Sequence, residues 1–333
     1  MAREYNVTYN FGEYQNQIES FFNRLIQKSI QYFAKQVTDK KILKNNSNPD
    51  DPVLMAEFNK MCRFVKNTEE YLNYYYVKDK KNFPNIFRAI SKLDSISVLN
   101  DEDRGIYGIT NHDNTIQISP ILSGNENLTA EQRTRLYVAH ELGHMVNKEW
   151  TKQIRIFMNK NDKLNIREKG LFYEGFSLID EATTQDRAED IAYFYASQQR
   201  PGLRFCRDPR GMYSGERYKA NYDFYGELQE PAIIFARTLR GIGKIGNDNE
   251  AMRALSRRAL EPNFVNTVIN EYQRDGQINN LYNEMIYMGL IKRASYARFG
   301  YDERSFIDSS KETLENLKRI ALSLRDYREP FED

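Results

Sequence analysis

Histidine, cysteine and tryptophan are scarce in this chain: three, two and one among 333 residues. Cys62 and Cys206 lie far apart and neither has a partner at metal-ligand spacing. A cysteine zinc site is therefore not expected, and reduced thiols are the default. No apolar run approaches the roughly 18 residues a bilayer requires, so no membrane partner is expected. An excess of charge is also missing. With 48 basic and 47 acidic residues the net charge is +1, and no basic stripe stands out. Nucleic-acid binding has no electrostatic support. The opening stretch MAREYNVTYNFGEYQNQIES is polar. No Sec-type signal is expected there, so the expected location is cytoplasmic, with export by a dedicated route as the alternative. Internal repeats and low-complexity tracts are absent.

What is present is concentrated in His140-Glu141-Leu142-Gly143-His144. Two histidines four apart on a helix point the same way and can reach one metal ion. The glutamate beside the first can hold a water at that ion, which is the arrangement zinc-assisted hydrolysis needs. The context agrees. Thr129 and Gln132 form a capping box, and Leu136, Val138, Ala139, Leu142, Met145 and Val146 make the helix behind it strongly apolar. Buried imidazoles beside a buried carboxylate are costly without a cation.

The remaining pattern predicts a predominantly helical α+β chain, with a small mixed or antiparallel sheet packed on the HExxH helix and extra helical parts at either end. Three-to-four periodicity predicts helices over 12–37, 53–77 and 84–93. Alternation over 95–99, 106–109 and 116–118, with the turn composition Asn111-His112-Asp113-Asn114, predicts strands and a hairpin. The strand 115–119, last before the metal helix, is read as a sheet edge able to pair with an extended peptide. Residues 152–170 read as a surface loop or short helix, and 178–199 as a helix. The stretch 200–219 reads as a solvated arginine-rich loop. Further helices are expected over 222–243, 249–259, 262–274, 279–296 and 310–326. The resulting division is 1–94, a helical N-terminal region; 95–243, a core around the HExxH helix; and 244–333, a helical C-terminal region.

Two histidines do not make a catalytic zinc site; a third protein ligand and an open position are needed. No histidine follows His144, and His112 falls in a turn where exposure is expected. A downstream carboxylate is required, and Glu181, Glu174 and Glu189 compete. Glu181 is preferred because Ala182, Ala188, Ile191, Ala192 and Phe194 mark its helix as buried, and a buried carboxylate needs a cation. The competing reading makes Glu181 a first-turn glutamate favoured by the helix dipole. Asp180 and Thr184 are candidate acceptors for the histidine N–H groups.

At this point the chain resembles the glutamate zincins, the metallopeptidases related to thermolysin. HELGH is followed by Leu178-Ile179-Asp180-Glu181-Ala182-Thr183-Thr184-Gln185, which is similar to the L-x-(D/N)-E-G-x-T-E element of small bacterial HExxH proteins. The resemblance spans about residues 95–240. Ala182 replaces the usual glycine, and Gln185 stands where an acid is common. It implies one catalytic Zn2+ held by His140, His144 and Glu181, with Glu141 as general base. It also implies a downstream donor to the oxyanion, for which Tyr222 and Tyr225 are the candidates among 23 tyrosines. The expected activity is hydrolysis of peptide bonds in a protein or peptide substrate. Three alternatives stand beside it. One is a regulatory protease resembling the repressor-cleaving metallopeptidases of mobile elements, whose register would make Glu189 the ligand. The others are an exported effector protease and a helical binding protein with structural zinc or none.

Overall fold

The structure, a computed structural model, describes residues 5–39, 52–99, 108–119, 129–160, 163–199, 222–243, 245–298 and 304–328. Among them the periodicities resolve into eleven α-helices and three strands, so the protein is mostly helical with one small mixed sheet. No helix of the described residues is long and apolar enough to cross a membrane. The chain divides into two compact units: Met1–Val146 with Arg187–Leu203, and Asn147–Asp186 with Arg204–Asp333.

In the first unit, α1 (Gln15–Asp39), α2 (Pro52–Lys78) and α3 (Phe83–Ile90) follow the predicted apolar stripes. Ile18, Phe22 and Leu25 of α1, Val65 and Leu72 of α2, and Ile86 and Ile90 of α3 are fully buried. Both α1 and α2 pack on β1 (Ser95–Val98). Strands β2 (Gly108–Thr110) and β3 (Thr115–Ile118) form the expected hairpin. Asn114 closes its turn at φ 65°, a left-handed conformation that asparagine tolerates.

The sheet order is β1-β3-β2, with β1 parallel and β2 antiparallel to β3. This corrects the reading of 115–119 as an edge. Sequence order made β3 the last strand before the metal helix, but the hairpin folds β2 to one side of it while β1 pairs on the other. Both rows of β3 backbone groups are thereby used. Among the described residues the edges are β1 and β2. Serine Oγ of Ser29 on α1 already accepts from the β1 Ile96 N–H.

α4 (Ala130–Asn147) carries the HELGH pentapeptide. Its capping box forms as predicted: the Thr129 N–H donates to Gln132 Oε1 at 2.9 Å, and the Gln132 N–H to Thr129 Oγ1 at 3.2 Å. One turn ahead of the histidines, Arg135 makes a buried fork with Glu70 of α2, Nε to Oε2 at 2.7 Å, with side chains 2% and 4% exposed. Arg135 also lies over the ring of Tyr195, whose hydroxyl donates to the Glu70 carbonyl.

In the second unit the segment read as a surface loop or short helix opens with a short helix, α5 (Glu149–Asn159), which buries Trp150, Ile154 and Met158. The next helix begins earlier than predicted. α6 spans Ile166–Gln199, 34 residues, of which those up to Asp186 belong to the second unit and the rest to the first. A second capping box starts it: the Asn165 N–H donates to Glu168 Oε2 and the Glu168 N–H to Asn165 Oδ1, both at 2.9 Å. That signal was present in the polar stretch, where the lysines and asparagines obscured it. α7 (Tyr222–Ala236), α8 (Asp248–Arg258), α9 (Phe264–Arg274), α10 (Ile278–Arg298) and α11 (Arg304–Arg328) complete the unit. Its core joins Phe172, Phe176 and Ile179 of α6 to Leu228 and Phe235 of α7, and to Phe264, Tyr272 and Met285. The arginine-rich stretch 200–219 lies outside the described residues.

Candidate metal centre

α4 holds both histidines on one face, as the four-residue spacing requires. Their Nε2 atoms stand 3.1 Å apart and the rings meet edge-on, at an interplanar angle of 85°. His140 is buried and His144 partly so. Among the described residues, His140, His144 and Glu181 form a group in which one donor atom from each lies within 4.8 Å of the others. That group can hold a metal ion.

Glu181 sits in the middle of α6 rather than in a first turn. The dipole-favoured reading therefore fails, because the field of a helix terminus fades within a turn. The two competing carboxylates stay out of the group. Glu174 is gripped by Arg293, whose Nε and Nη2 reach its two oxygens at 2.5 and 2.8 Å. Glu189 lies two turns beyond Glu181 on α6. His112 is in the β2–β3 turn, exposed.

Glu141 is buried and held from the hairpin. The Thr110 hydroxyl lies 2.7 Å from Glu141 Oε2 and 2.9 Å from the Glu141 backbone carbonyl, a three-centre bond from one proton. On its other side the backbone of Gly108 approaches so closely that a Cβ there would come within 2.5 Å of Oε1. Neither residue was picked out from the sequence. Gly108 was visible as a glycine inside an alternating run, which often marks close approach of another group.

Asp180 and Thr184, expected to support the histidines, meet Asn147 at the end of α4. Asn147 Nδ2 donates to Asp180 Oδ1 at 2.5 Å, and the Thr184 hydroxyl donates to the same oxygen at 3.2 Å. Asn147 carried no sequence signal. Tyr222 and Tyr225 fall in the first turn of α7, and their side chains lie outside the described residues. Two residues from α10, far along the chain, reach Glu181 instead: Tyr296, by its hydroxyl, and Lys292.

The chain matches no protein-family model, no curated protein and no solved structure.

Proposed function

We propose that this chain is a zinc-dependent endopeptidase, with His140, His144 and Glu181 as metal ligands and Glu141 as general base. The observation that carries the reading is the convergence of two imidazoles and one carboxylate beside a glutamate that is separately held in place. The spacing suits zinc. Two nitrogens each about 2.05 Å from one tetrahedral ion stand about 3.3 Å apart, against the 3.1 Å between these two Nε2 atoms. Three protein ligands leave a position open, which separates a catalytic from a structural site.

A bound zinc ion would supply Lewis acidity toward a carbonyl and toward water. Everything else falls to the chain. The Glu141 carboxylate accepts the proton of the attacking water and returns it to the leaving amine. Thr110 and Gly108 fix its plane. A purely structural metal site has no use for a third party so constrained, which favours the enzyme over the binding-protein reading. Tyr222 and Tyr225 remain the proposed donors to the developing oxyanion. An extended substrate adds to the sheet at β2, the edge that also touches Glu141, in the manner of strand addition. The zincin-like arrangement belongs to this reading too.

Metal content of the purified protein beside Glu141→Gln and Glu181→Gln, with cleavage of a denatured protein mixture scored in parallel, tests it. The expected result is one zinc per chain in wild type and Glu141→Gln, loss in Glu181→Gln, and cleavage by wild type alone. Absence of zinc from the wild type overturns the proposal, and zinc retained in all three displaces Glu181 as ligand.

A further inference from the structure

The proposed third ligand is engaged by two side chains from a helix that the zincin resemblance does not reach. Within the second unit, α6 and α10 meet backbone to backbone. A Cβ at Gly175 would come within 2.2 Å of the Met285 carbonyl oxygen, and one at Gly289 within 2.2 Å of the Leu171 carbonyl oxygen. That approach carries Lys292 and Tyr296 to Glu181. The Tyr296 hydroxyl donates to Glu181 Oε1 at 3.3 Å. Lys292 Nζ lies 3.6 Å from the same oxygen, with side chains 12% and 15% exposed. The ammonium is itself fixed. It donates to Ser177 Oγ at 2.6 Å and stands 5.2 Å over the Tyr296 ring.

Both groups act on one oxygen. A carboxylate offers about four lone-pair sites, two on each oxygen, and can swing between one-oxygen and two-oxygen ligation. A hydrogen bond and an ion pair to one oxygen restrain that swing and orient the other. We propose that Lys292 and Tyr296 are positioning residues for Glu181: by engaging Oε1 they present Oε2 alone to the metal. The inference rests on the metal-site reading above. It gives the close α6–α10 approach at Gly175 and Gly289 a consequence nearly two turns further along α6, at Glu181. One-oxygen ligation also keeps the coordination number low, so that a position stays open.

The test uses the full chain loaded with Co2+, whose visible bands weaken stepwise as the coordination number rises above four. Zinc affinity is measured by competition with a chelator. Tyr296→Phe and Lys292→Met are expected to weaken the cobalt bands, and Lys292→Arg to restore them. Tyr296→Phe is expected to lower zinc affinity about 10- to 100-fold, the usual effect of losing an outer partner of a ligand. Arg293→Gln breaks the neighbouring α10–α6 pair with Glu174 and is expected to change neither reading, which separates ligand positioning from loosened helix packing. Thermal melts establish that each variant is folded. Unchanged bands and affinity in folded Tyr296→Phe and Lys292→Met overturn the inference, as does an equal loss in Arg293→Gln. A wild-type protein that takes up neither metal overturns the metal-site reading itself.

Discussion

The α-carbon of Gly108 rests against the carboxylate of Glu141: a methyl group added there would come within 2.5 Å of Oε1, 2.7 Å of Cγ and 2.8 Å of Cδ. A glycine on the edge strand thus sets how far the proposed base can lean away from the metal group. Gly108→Ala is expected to push the carboxylate aside while leaving the proposed zinc ligands in place. Misplacement of a reacting group by about 1 Å costs about 100-fold in rate. The measurement is kcat beside zinc content. An unchanged kcat would mean that Glu141 has no positional role.

Thr110 restrains the same carboxylate by a hydrogen bond rather than by bulk. Thr110→Val keeps the shape and removes the donor. A hydrogen bond to a charged group contributes about 1.5–3 kcal/mol, so kcat is expected to fall about 10- to 100-fold. KM and zinc content stay the same. Thr110→Ser keeps the hydroxyl and is expected to recover most of the rate. Equal rates for Val and Ser would sink the assignment.

Arg135 and Glu70 form a pair whose partners are both out of water. Arg135→Met strands the Glu70 carboxylate, with an expected loss of about 3–5 kcal/mol. Arg135→Met with Glu70→Leu is expected to lose far less, because no uncompensated charge remains. Urea unfolding of the two variants distinguishes these outcomes. A double variant as unstable as the single one would show that packing, not charge, dominates there.

Alkali should unfold the first unit through its tyrosines. Burial pushes Tyr71 up to about 12, with the Arg187 charge partly opposing it. Burial likewise raises Tyr75. A phenol ionises near 10 in the unfolded chain. The neutral form is the one the fold accepts, so Tyr71's contribution is fully present below pH 10 and is lost as pH rises from about 10 toward 12. Tyr71 alone accounts for about 2–3 kcal/mol over that window. Phenolate absorbance and helicity followed together are expected to change in one transition for these residues. Full ionisation with helicity intact would disprove the coupling.

Local signals carried most of the architecture. The capping box at Thr129, the three-to-four apolar stripe of α1 and the turn at Asn111–Asn114 each specify structure within a few residues, and each formed. The histidines and Glu181 were legible for the same reason: helical spacing fixes the first two, and the burial pattern of α6 points to the third. What escaped was non-local. Strand order depends on which side of β3 the hairpin folds, which the alternation within each strand does not specify. Thr110 meets Glu141 across 31 residues, and Lys292 meets Ser177 across 115. Such pairings are made by packing. The start of α6 was missed differently: Asn165 and Glu168 are a local signal, but the polar residues around them lack the apolar period that usually draws attention to one.

Every donor of the metal group is carried by a helix, His140 and His144 on α4 and Glu181 in the middle of a 34-residue α6. None sits on a loop that an ion would have to gather in. For the two histidines the consequence is simple. Their spacing on α4 is set by the helix itself, and not by an ion as in small domains that metal folds. If the proposed site is loaded, a chelator is expected to strip the metal and leave the helicity of α4 unchanged.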